Sequence, residues 1–85
     1  MAKVTITIRN DSTADDVDIF IDKKKVDPPN QTQVDSGTHA LLWMAKGKAG
    51  QTVKITIITP AGVAARVDRT LKDANLVADG RTFVA

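Results

Sequence analysis

Cysteine, tyrosine and glutamate are absent from this chain of 85 residues, and histidine occurs once, at position 39. Without cysteine there is neither a disulfide framework nor a thiolate metal site. A single imidazole excludes any site that needs two. The missing glutamate removes a good helix former and the usual anionic partner in helical ion pairs. Aromatic rings are scarce, limited to Phe20, Trp43 and Phe83. No apolar run approaches the roughly 18 residues of a membrane-spanning helix. The opening Met-Ala-Lys-Val-Thr-Ile lacks the architecture of a secretory leader. These two absences set the expectation of a soluble, cytoplasmic chain with no membrane partner.

Charge of one sign is lacking as well. Twelve basic side chains face ten acidic ones, a net of +2. That balance is not the electrostatic footprint of a nucleic-acid binder, although the isoelectric point is about 9.2. A chain this short buries only about 65% of the surface its unfolded form exposes. The reading is therefore a single domain over residues 1–85, with one thin core and little room for a deep catalytic cleft.

What the sequence has in abundance is branching at Cβ. Valine, isoleucine and threonine make up 26 of the 85 residues, against four leucines. Branched side chains are stiff at χ1, slightly disfavour helix and suit a pleated surface. The pattern agrees. Val4–Arg9 alternates apolar and polar, as a half-buried strand does. Asp16–Asp22 alternates with Val17, Ile19 and Ile21 on one face, and Thr52–Thr59 with Val53, Ile55 and Ile57 on one face. The triple lysine at 23–25 turns the chain, with Val26 opening a short return strand. Asp27-Pro28-Pro29-Asn30 forbids regular structure, because the prolines lack donors and push their predecessors from the helical region. Thr32–Asp35 reads as a short edge strand, Thr38–Ala45 as the most apolar segment, and Lys46–Gly50 as a flexible loop. Val63–Leu71 is a further strand. Lys72–Gly80 reads as the longest irregular stretch, ending in an Asp79-Gly80 hairpin signal before a terminal strand at Arg81–Ala85. Six or seven strands at this spacing, without a helix, predict an all-β antiparallel sandwich of immunoglobulin-like type.

Two stretches carry a family resemblance. Ile19-Phe20-Ile21-Asp22-Lys23-Lys24-Lys25-Val26 and Ser36-Gly37-Thr38-His39-Ala40-Leu41 resemble the hairpin and later strand of PEGA-type bacterial β-sandwich modules. The resemblance spans about a third of the chain, with Lys23 in place of the hairpin glycine and no proline before Gly37. It implies a non-catalytic surface or interaction domain and supplies no binding residues.

Four candidate chemistries stand in the sequence. Asp11, Asp15, Asp16 and Asp18, with Asp22 nearby, offer oxygens to a hard cation such as calcium, but their spacing matches no EF-hand loop. A polar loop and a solvated strand face account for them equally well. Lys23, Lys24 and Lys25 could meet an acidic partner, yet no aromatic ring is interleaved to stack bases, and edge protection explains them. Trp43 could stack on a sugar, or fill the core. His39 lacks an evident nucleophile or orienting group, so no general-base site, catalytic residue or cofactor is expected.

The remaining anomaly is Ala40–Ala45, six apolar residues in a row. A sandwich strand buries one face. With His39, Leu41 and Trp43 inward, Ala40, Leu42 and Met44 look outward. Phe20 and Ile58 interrupt polar faces in the same way. If their strands share a sheet, Phe20, Leu42, Met44 and Ile58 form one outer patch. The expected partner is then a second copy of the chain in a homo-oligomer. Leu76 and Val77, in the stretch read as irregular, could instead cover the patch.

Overall fold

A computed structural model describes residues 2–27, 30–72 and 76–85. Among these, the chain forms β1 (Lys3–Asn10), β2 (Asp16–Ile21), β3 (Lys24–Val26), β4 (Asn30–Asp35), β5 (Thr38–Lys46), β6 (Thr52–Thr59), β7 (Gly62–Thr70) and β8 (Leu76–Val84). They pair, all antiparallel, into two four-stranded sheets ordered β4-β1-β6-β7 and β3-β2-β5-β8. The all-β sandwich expected from the composition is present, with eight strands in place of six or seven. No helix among the described residues is long and apolar enough to cross a membrane.

Alternation builds the core. Ile6 and Ile8 of β1, and Val53, Ile55 and Ile57 of β6, face Ile19 and Ile21 of β2, and Leu41, Trp43 and Ala45 of β5. No polar or charged residue is buried among them. β6 and β7 form a hairpin whose register shifts at Ile57/Ile58, so the strand ends on a bulge. Only the β2–β3 and β6–β7 connections stay within one sheet. Every other connection crosses between layers, so no sheet can form from a contiguous stretch of chain.

Two loops differ from the sequence reading. The Lys46–Gly50 segment is pinned. Gly50 N–H donates to the Leu71 carbonyl at 2.8 Å, and Lys48 N–H to the Gln51 side-chain oxygen at 2.6 Å. Gly47 is buried there, and a Cβ on it would crowd Gln51, Leu71 and Ala14. Asp79-Gly80 makes no hairpin. It lies in mid-strand, opposite Trp43 and Leu42 of β5. Its turn-like composition was overridden by pairing along the whole length of β5, and much of the stretch read as irregular is β8. Residues 73–75 of that stretch, and Pro28-Pro29, lie outside the described residues.

The β2–β3 turn is tighter than three lysines imply. Asp22 and Lys23 alone occupy it, with φ of +49° and +71°. Positive φ at both central positions marks the I′ geometry that matches strand twist, where Asp is tolerated and Gly preferred second. Lys24 and Lys25 already belong to β3. Replacing Lys23→Gly should raise stability by about 0.5–1 kcal/mol, the left-handed cost of a side chain less the freedom glycine adds to the unfolded chain. Gly47→Ala should lower it by about 1–3 kcal/mol through overpacking. Urea-denaturation midpoints at constant slope check both.

Candidate functional site

The outer face of the β3-β2-β5-β8 sheet carries the side chains that the core does not take. The register sets Phe20 beside Leu42, Asp18 beside Met44 and Asp16 beside Lys46 across β2 and β5. On the other flank, β5 meets β8 with Ala40 opposite Thr82, Leu42 opposite Gly80, Met44 opposite Ala78 and Lys46 opposite Leu76. Leu42 is 42% exposed, while Phe20 and Met44 are half-buried.

Strand β8 is patterned in reverse. Its outward positions, Leu76, Ala78, Gly80, Thr82 and Val84, bear no charge, whereas Asp79 and Arg81 stand on the side that faces the other sheet. Among the described residues, four large apolar side chains are strongly exposed: Leu42, Val63, Leu76 and Val84. Three of the four stand on this one face. At Gly80 a Cβ would lie 3.6 Å from a methyl of Leu42, an ordinary van der Waals distance, so Leu42 lies against β8 at this point.

Of the four residues expected in an outer patch, three come together. Phe20, Leu42 and Met44 share the face just described. Ile58 does not join them, because β6 belongs to the opposite sheet, where Ile58 pairs with Thr7 of β1. Strand order is a property of long-range pairing, which local alternation does not encode. Leu76 does not cover the patch either; it extends it, while Val77 turns inward and packs against the core. The sequence signal for β8 was the absence of charge at alternate positions from Leu76 to Val84, masked by the turn-like Asp79-Gly80.

The other candidates resolve separately. Trp43 is 2% exposed, so the indole face that a sugar would need is inside the sandwich. The Arg69 guanidinium lies over the ring at 5.7 Å and pairs with Asp79 at 3.2 Å. Arg81 donates to the main-chain carbonyl of Arg66, so charged side chains bridge the seam between β7 and β8. Among the aspartates, Asp11 lies 3.9 Å from Arg9, Asp18 pairs with Lys25 at 3.4 Å, and Asp15 accepts from Gln51 at 3.1 Å. No group of three acidic, His or Cys side chains fit to hold a metal ion occurs among the described residues.

His39 sits on the core side of β5, half-buried, against the ring of Phe83 at 5.7 Å. Its Nδ1 lies 2.5 Å from the Asp22 carboxylate and its Nε2 lies 2.5 Å from the Asp35 carbonyl oxygen. Asp22 also accepts from the Ala40 N–H at 2.9 Å. That backbone bond, together with the imidazole, holds the Asp22 carboxyl below its ordinary range. The Asp35 carbonyl and then Asp22 push the His39 imidazole above its own. Both ring nitrogens are thus engaged, one with a carboxylate and one with a main-chain carbonyl.

Set against protein-family models, curated proteins and solved structures, the chain matches none.

Proposed function

We propose that this protein is a non-catalytic interaction module of the immunoglobulin-like, PEGA-like kind, and that it self-associates face to face through the outer surface of the β3-β2-β5-β8 sheet. One observation carries the reading: on β8 the charges face the other sheet and the uncharged residues face outward. A strand that met only water on its outer side would be expected to reverse that order.

A second copy fits the face better than an unrelated partner does. The rim carries both signs in equal number, Asp16 and Asp18 against Lys25 and Lys46, so a two-fold copy meets no net repulsion. Its four strands, of three, six, nine and nine residues, present about 430 Å² per copy, hence about 860 Å² buried in total. That falls in the range of weak, transient encounters and predicts a dimer with a dissociation constant of roughly micromolar or weaker. The I′ hairpin at Asp22-Lys23, beside β5, supports the PEGA-like resemblance.

Sedimentation velocity across a concentration series should show a monomer–dimer equilibrium. Leu42→Asp and Leu76→Asp, each at an exposed position, should shift it to monomer and leave the thermal midpoint within a few degrees of the parent. A chain that stays strictly monomeric into the hundreds of micromolar refutes the reading.

A further inference from the structure

We propose that His39 is a proton-operated latch between the two sheets, closed while its imidazole carries both protons and released from Asp35 when one leaves. The proposal is independent of self-association, since the latch lies on the core side of β5 and the proposed interface on the other.

The geometry fixes the protonation state. A main-chain carbonyl has no hydrogen to give, so the Nε2 contact to Asp35 at 2.5 Å requires an N–H on the ring. The Asp22 carboxylate, ionised and already accepting the Ala40 N–H, is likewise an acceptor, so the Nδ1 contact at 2.5 Å requires the second. Two N–H donors make an imidazolium. The bonds also span the sandwich. Asp22 ends the β2 side of one sheet, whereas Asp35 ends β4 of the other.

The groups around the ring come from every neighbouring element. Lys3 of β1 pairs with the Asp35 carboxylate at 2.7 Å. Lys24 and Lys25 of β3 line the same cleft, and Lys25 is paired with Asp18. From β8 only the uncharged Phe83 ring faces the imidazole. Asp22 and Asp35 favour the cation, Lys3 and Lys25 are engaged by Asp35 and Asp18, and Lys24 stands close enough to Asp22 to help keep its carboxyl ionised.

Loss of a proton leaves one hydrogen for two acceptors. The charge-assisted bond to Asp22 is the stronger, so the neutral ring keeps Nδ1–H and turns an Nε2 lone pair on the carbonyl oxygen. Repulsion then opens the contact with the end of β4 and the Ser36-Gly37 turn. That turn is held besides by Ser36 N–H on Ala2 and Gly37 N–H on Ala85. The direction is fixed by linkage. A folded imidazole raised above the ordinary 6.5 contributes stability fully at lower pH and loses it as pH rises through the folded value. Asp22, lowered below 3.8, sets the acid limit, its contribution fading as pH falls through its folded value.

His39 is the one histidine, so imidazole nitrogen signals come from it alone. Nitrogen-15 NMR of the intact protein across pH should show both ring nitrogens protonated at mildly acidic pH, with a midpoint above 6.5. Asp22→Asn should lower that midpoint. Exchange protection of the Ser36 and Gly37 amides, corrected for intrinsic rates, should fall several-fold as the ring titrates. A midpoint at or below 6.5, or a single protonated tautomer throughout, overturns the latch. So does protection that ignores the titration. The midpoint, the tautomer and the amide protection are all read on the wild-type chain, so a poorly folded Asp22→Asn variant neither rescues nor sinks the proposal.

Discussion

A β-strand has two faces and a two-layer sandwich has one interior. Every unusual feature of this molecule follows from how its eight strands distribute their side chains under that limit. Most obey it. Ile6 and Ile8 go in while Thr5 and Arg9 face water; Val53, Ile55 and Ile57 go in while Lys54 and Thr56 point away. Strands β5 and β8 do not obey it. On β5 both faces are apolar, and on β8 the charged residues occupy the side nearer the core. The fold tolerates the second inversion because β7 and β8 are edge strands. There Asp79 and Arg81 reach solvent at the seam without being buried, meeting Arg69 and the Arg66 carbonyl.

The same limit explains which parts were legible in the sequence. Fold class was, since β-branched residues with a period of two leave few alternatives. Strand boundaries were close for β1, β2, β5 and β6, where alternation is strict and the flanking residues are turn formers. β8 was misread because an Asp-Gly pair has a strong local preference, and nine paired residues outweighed it. Sheet membership was not legible at all. Ile58 looks like Phe20 and Leu42 to any local reading, yet the chain crosses between layers after β5 and carries it to the opposite face. The His39 contacts were equally hidden, since Asp22 and Asp35 are 17 and 4 residues away and meet the ring only once both sheets exist.

The two ends of the molecule's chemistry are thus separated by a single strand. β5 presents Leu42 and Met44 to the outside and, alternating with them, Leu41, Trp43 and Ala45 to the core, with His39 near its head. The proposed surface association and the proposed protonation of His39 draw on opposite faces of one backbone, so substitutions can address either alone.

The Arg81 guanidinium covers the main-chain carbonyl of Arg66 on β7, an edge strand of its sheet. A naked flank is how sandwich proteins recruit foreign strands and string themselves into fibrils. Here a bulky cation already sits on the rim where an incoming backbone would dock. Sideways growth along that border therefore meets a plug.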